Sequence, residues 1–164
     1  MIAPVALFAI GNRSRGDDAA GPLLLDRLRD HLAPDAPFEL FEEYQLQVEN
    51  ALDLEHRPLV LFIDASRETP RPFEFRELAD GASLSGPSTH ALSPEALLGV
   101  FRQVTGLPPP PAFALGVRAG AFELGEEPSA AARAAMEEAW RLLQALVRSP
   151  AVAEWRTMAA VARA

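Results

Sequence analysis

The sequence predicts an α/β fold: a mostly parallel, twisted sheet covered on both faces by helices. Three observations carry this. The runs "VALFAI", "PLVLFIDAS" and "AFALGVRAG" hold short, continuous apolar stretches, the pattern of strands buried on both faces. Between and after them lie stretches whose apolar residues recur at helical spacing. Cap and breaker residues punctuate the junctions.

The elements follow in order. Val5 to Ile10 is the first strand, closed by Gly11-Asn12. "DDAAGPLLLDRLRDHL" is a helix with Leu24, Leu25, Leu28 and Leu32 on one stripe and Asp17 as its expected N-cap. "FELFEEY" reads as a second strand and "LQVENALDL" as a short helix. The next strand ends in Asp64. Residues 67–90 are polar and rich in Pro, Gly and Ser, with "RPFEFREL" alternating well enough for an edge strand. "SPEALLGVFRQVTG" has Ser93 as N-cap, Pro94 at the first helical position and Gly106 as the stop. The "PPPP" at 108–111 forces an extended connection into the third buried strand. A long amphipathic helix follows, with Ala132, Met136, Ala139, Trp140, Leu143 and Val147 inward. A last stripe, Val152, Trp155, Met158 and Ala162, predicts a helix over 151–164 docked on the edge of one domain spanning 1–164.

Composition narrows the chemistry. The 164 residues carry a net charge of −8, which argues against a nucleic-acid partner. There is no cysteine, so thiolate catalysis and zinc–thiolate sites are excluded. All 15 basic residues are arginine, which removes a Walker-type phosphate loop, Schiff-base chemistry and a lysine general base. No G-x-G-x-x-G follows a strand, leaving a dinucleotide site unsupported. The apolar runs are too short to span a bilayer, and the N-terminus lacks a basic leader region, so the expectation is a cytoplasmic protein without membrane insertion.

In open α/β sheets, ligands collect beyond the carboxyl ends of the strands. That rule selects the turn "GNRSRGDDAAG", the strand end at Asp64, and the loop carrying His90. In the turn, Asp17 is the expected cap and Asp18 the candidate ligand, with Gly16 and Gly21 leaving room for an approaching group. His31 suits a helix end and His56 a solvated turn. Asp18, Asp64 and His90 together make an O,O,N set suited to zinc, nickel, manganese or iron. A rival reading takes Ser14, Asp64 and His90 as a serine-hydrolase triad, but the G-x-S-x-G elbow fails because position 12 is asparagine.

"ALFAIGNRSRGDDAAGPLLLDRL" resembles the first motif of the nickel–iron hydrogenase maturation endopeptidases, a Gly-Asn turn followed by an acidic pair. "LVLFIDAS" is similar to their second motif, "STHALSPEALL" to their third, and "FALGVRAGAFELGEEPSAAARAAMEEA" to their C-terminal strand, loop and helix. The resemblance runs from about residue 5 to 147 with the blocks in order. It implies a three-layer α/β/α, phosphorylase/hydrolase-like fold. It also implies a metal-dependent endopeptidase that removes the C-terminal extension of the hydrogenase large-subunit precursor after nickel insertion. Asp18, Asp64 and His90 fall on the catalytic, metal-contacting positions. The nickel arrives with the precursor, and zinc or cadmium are stand-ins in vitro. Many members carry glutamate where this chain has Asp18. A Gly-Gly-Thr docking turn of the family is replaced by "EEYQLQVENALDL", which leaves Gln45 and Gln47 for backbone recognition and points to a different subgroup. The non-enzymatic alternative is a module that checks metal loading of the same subunit without cutting it.

Overall fold

The computed structural model describes residues 2–79 and 92–163. In chain order the regular elements are β1 (Val5–Ile10), α1 (Ala20–His31), β2 (Phe38–Glu43), β3 (Leu59–Ser66), β4 (Phe73–Glu77), α2 (Pro94–Thr105), β5 (Ala112–Arg118), α3 (Ala130–Arg148) and α4 (Val152–Ala162). Two 3₁₀ segments, Gly16–Ala19 and Val48–Leu54, complete them. The strands form one sheet in the order β2-β1-β3-β5-β4. β1, β2, β3 and β5 run parallel, and β4 pairs antiparallel to β5 at the edge.

Alternation along the strands sorts the core into two layers. Val5 and Leu7 of β1, Leu59, Leu61 and Ile63 of β3, and Phe113, Leu115 and Val117 of β5 pack with α1, α3 and α4. Ala6, Phe8 and Ile10, Val60 and Phe62, and Ala112 point the other way, toward α2 and the 48–54 segment. With both faces covered, successive residues are all apolar, which is why these strands read as unbroken runs. Phe8 stacks between Phe41 and Phe62 at centroid distances of 4.7 and 5.2 Å, joining three strands on that second face.

α2 begins and ends as its sequence predicts. Ser93 Oγ accepts from the Ala96 amide at 3.1 Å, Pro94 follows, and Gly106 closes the helix in the left-handed region at φ 72°. α4 packs against β4 and carries Trp155 into the core, fully buried. Its ring meets Phe113 edge-on at 5.5 Å, and its indole Nε1–H donates to the Leu146 carbonyl at 3.0 Å. Val152, Met158 and Ala162 pack beside it, so the predicted stripe is the docked face. No helix among the described residues is long and apolar enough to cross a membrane.

One assignment is corrected. Asp17 does not cap α1: that helix starts from Ala19 with no side-chain cap, and Asp17 lies a turn earlier in the 3₁₀ segment.

Trp155 ties the last helix to the sheet by both ring packing and a hydrogen bond. Trp155→Ala is expected to cost about 3–5 kcal/mol in chemical denaturation, the range for emptying a buried aromatic site. A loss under 1 kcal/mol would show that α4 contributes little to the fold.

Candidate active site

β1 has β2 on one side and β3 on the other, so the connections leaving this pair diverge and open a crevice at their carboxyl ends. A cleft of about 530 Å³ occupies this place, lined by Ile10, Asn12, Arg15, Asp18, Tyr44, Gln45, Gln47 and Asp64. Asp64 has the same parity along β3 as Val60 and Phe62, beyond the apolar run. Burial ends where the sheet ends, and the first polar side chain of the row meets the crevice.

The Asp17–Asp18 pair divides two tasks. Asp17 is 1% exposed and faces away from the cleft. Its Oδ2 accepts from the amides of Gly120 and Ala121, both at 2.9 Å, and from Ser129 Oγ at 3.0 Å. Its Oδ1 accepts from the Ser129 amide at 2.7 Å. Burial works against the charge, but these donors together hold the carboxyl below its ordinary range. Ser129 in turn caps α3, so the carboxylate joins the β1–α1 turn to the loop after β5 and to the start of α3. Asp18, next in sequence, points into the cleft and accepts from the Asn12 amide at 2.7 Å.

The flanking glycines prove to serve packing, where the sequence suggested room for an approaching group. Gly16 has φ 56°, and a Cβ there would sit 2.4 Å from the Ala121 carbonyl oxygen. A Cβ on Gly21 would sit 2.7 Å from the Ile10 carbonyl. Glycine lets the turn lie against the β5 loop on one side and against the strand ends on the other.

Asp64 is under strain of a different kind. Burial pushes its carboxyl up to about 7, Asp18's charge adds to the rise, and the Ala65 amide donating to Oδ1 at 2.8 Å opposes it. A carboxyl titrating near neutrality can hold or give up a proton at working pH. Ionised, the Asp18–Asp64 pair offers oxygen donors for a cation.

His90 lies outside the described residues. Leu92, just after that segment, bridges Leu46 in an antiparallel pair, and Leu46's neighbours Gln45 and Gln47 line the cleft. Among the described residues no group of three metal-ligating side chains occurs. Ser14 is exposed, offers its carbonyl to the Gly125 amide at 2.6 Å, and does not line the cleft with Asp64. His31 lies edge-on to Trp140 at 5.4 Å, and His56 is exposed with φ 63°. Neither lines the cleft. Sequence reasoning missed Arg15 and Tyr44 as lining residues. Their position in turns following β1 and β2 was the available signal.

Fold and cleft together define an α/β protein with helices on both sides of a mostly parallel sheet and an acid-lined crevice at its switch point. Solved structures that share this architecture along nearly the whole chain include hydrogenase maturation proteases. The NiFe hydrogenase maturation protease HycI from Thermococcus kodakarensis KOD1 is 24% identical with a TM-score of 0.68, covering 90% of this chain and 94% of its own. The hydrogenase maturating endopeptidase HybD from E. coli is 21% identical with a TM-score of 0.67, covering 89% and 93%. The hydrogenase 2 maturation peptidase from Thaumarchaeota archaeon SCGC_AB-539-E09 is 24% identical with a TM-score of 0.60, covering 87% and 97%. At these identities the likeness is one of fold. No protein-family model matches the sequence, and no curated protein is similar to it in sequence.

Asp17, buried, and Asp64, half-buried, should respond to neutralisation with opposite signs. Asp17→Asn strips a satisfied carboxylate from four donors and is expected to destabilise by about 2–4 kcal/mol at pH 7. Because that carboxyl is held low, its contribution is present above about pH 4 and lost as pH falls further. Asp64 is raised, so the stability linked to its proton is full below about pH 4 and drains away as pH rises through about 7. Asp64→Asn should therefore stabilise the free protein at pH 8, on the order of 2–4 kcal/mol, and flatten that pH dependence. Urea denaturation of both variants at pH 5 and 8 measures this. A destabilised Asp64→Asn at pH 8 contradicts the assignment.

Proposed function

We propose that this protein is an endopeptidase that removes the C-terminal extension of a nickel–iron hydrogenase large-subunit precursor after nickel has been inserted. The observation that carries the reading is the convergence of Asp18 and Asp64 in one crevice, at the switch point of a fold shared with hydrogenase maturation proteases over about nine-tenths of the chain. His90 completes the proposed set. It stands two residues before Leu92 in the sequence. Leu92 bridges Leu46, whose neighbours Gln45 and Gln47 line the cleft. Compartment and cofactor belong to the same proposal: a cytoplasmic enzyme, with nickel supplied by the substrate.

The residues suit a metal that arrives with the client. Two carboxylates and an imidazole are an incomplete shell, which leaves positions for ligands that the precursor brings. Coordination of the precursor's nickel by Asp18, Asp64 and His90 docks only loaded substrate, and that tether supplies positioning at the bond to be cut. Burial raises the Asp64 carboxyl in the free protein, so coordination of the client's nickel there would release a proton. Tyr44, Gln45 and Gln47, which also line the cleft, offer a hydroxyl and two amides to an extended peptide.

The test is mass spectrometry of the large subunit after incubation of nickel-loaded precursor with this protein. The expected result is loss of a C-terminal peptide, slowed at least about 100-fold by Asp18→Asn, Asp64→Asn or His90→Ala. Wild-type protein that leaves a loaded precursor intact overturns the peptidase reading. A stable complex of unchanged mass would instead mark a loading checkpoint.

A further inference from the structure

Two arginines in the first turn have opposite fates. Arg13 is fully engaged: Nη1 and Nη2 donate to the two oxygens of Asp26 at 2.7 and 2.8 Å, and Nε and Nη2 to those of Glu42 at 2.7 and 2.6 Å. Arg15, two residues on, is anchored among the described residues through Nε alone, which donates to the Phe122 carbonyl at 3.1 Å. Arg67 rests on the ring of the same phenylalanine, 4.1 Å from its centroid. Arg15 lines the cleft and is the only cation among its described lining residues. It nevertheless forms no ion pair with any described carboxylate, although Asp18 and Asp64 line the same space.

That separation has a physical consequence. The cleft carries the acids Asp18 and Asp64 and a cation tied to the loop after β5. A guanidinium held at Nε by a main-chain carbonyl keeps both terminal nitrogens for a ligand, and its planar fork matches the two oxygens of a carboxylate. Fixing it in advance reduces the side-chain entropy lost on binding. A ligand that fits such a field is positive at one end and negative at the other. A metal-bearing segment followed or preceded by a carboxylate has that character.

We infer that Arg15 is a specificity-determining residue that receives a carboxylate of the peptide bound in the cleft. The identity of the peptide rests on the peptidase reading; the existence of a carboxylate site does not. The turn is braced for this use. Asp17 ties it to Gly120, Ala121 and Ser129, and the Gly16 amide donates to the Glu126 carbonyl at 3.0 Å, so the anchor of Arg15 and the anchor of Asp18 share one rigid loop pair.

The experiment titrates three capped or free tripeptides into the ¹⁵N-labelled full chain without metal: acetyl-Ala-Glu-Ala-amide, acetyl-Ala-Gln-Ala-amide, and acetyl-Ala-Ala-Ala with a free C-terminal carboxylate. The expected result is millimolar binding of a carboxylate peptide that shifts the Arg15 Nε–H and Asn12 amide signals, with the glutamine peptide at least about tenfold weaker. The glutamate and free-acid arms tell a side-chain carboxylate from a chain terminus. Arg15→Gln should erase the preference for carboxylate, and Arg15→Lys should restore part of it as a point charge. Equal binding of the neutral peptide, a preference that survives Arg15→Gln, or no shift at the highest soluble concentration overturns the inference. Against a cleavable precursor, Arg15→Gln should raise KM about tenfold. If wild type cleaves no precursor yet discriminates the peptides, the peptidase reading falls and the carboxylate site stands.

Discussion

The buried carboxylate of Asp17 is the interaction on which the arrangement of the rim depends. Four donors from the β5–α3 connection converge on it, and each of them would be a costly orphan without it. Opposing this is the price of removing a charge from water, and the lowered pKa of the group shows which effect prevails. The result is that a turn from the start of the chain is held against a loop more than a hundred residues later. Asp18, one residue along, can only point where that knot leaves it. Gly16 enforces the same closeness sterically, since any side chain there would strike the Ala121 carbonyl.

Asp64 shows the converse arrangement. Its carboxyl is buried at the end of an apolar row with one amide donor and a like charge nearby, so the folded free protein disfavours its ionised form. A residue kept in this state reduces the stability of the chain at neutral and alkaline pH. A cation bridging Asp18 and Asp64 would relieve both the desolvation and the repulsion. The two acids thus define opposite ends of one principle: the same residue type is held ionised where donors surround it and pushed toward its protonated form where they do not.

How much of this was legible in the sequence follows from how local each signal is. The three inner strands announce themselves because burial on both faces leaves every residue apolar, and α2 because Ser93, Pro94 and Gly106 act within their own helix. The stripe on α4 likewise reads from spacing alone. Asp18 and Asp64 could be placed on one rim because the carboxyl-end rule needs only strand order and direction, and both line the cleft. Asp17 was misread as a cap on the helix that follows it. Its partners lie 103 to 112 positions away, and nothing in the local pattern separates a helix cap from a tertiary tie. The glycines beside it were misread for the same reason, since a close approach by a distant loop leaves no mark in the neighbouring residues. Ser14, plausible as a nucleophile from residue order alone, turns out exposed and away from the cleft that holds Asp64.

The contrast between Arg13 and Arg15 carries the last step. Both are exposed arginines of one turn, and composition treats them alike. Arg13 meets two carboxylates that approach in the plane of its fork, from α1 and from the end of β2, so its charge is spent on joining those elements to the turn. A pair this exposed is worth little on its own, but the doubled, in-plane contact fixes geometry where a single surface pair would not. Arg15 is held by a neutral carbonyl instead, which orients the guanidinium without cancelling its charge. In a chain of net charge −8, Arg15 lines the cleft beside two acids, held at the Phe122 carbonyl, with no ion pair across the gap among the described residues. Closing that gap by direct pairing would add little stability at an exposed arginine. Leaving it open keeps the field of the cleft available to whatever binds there.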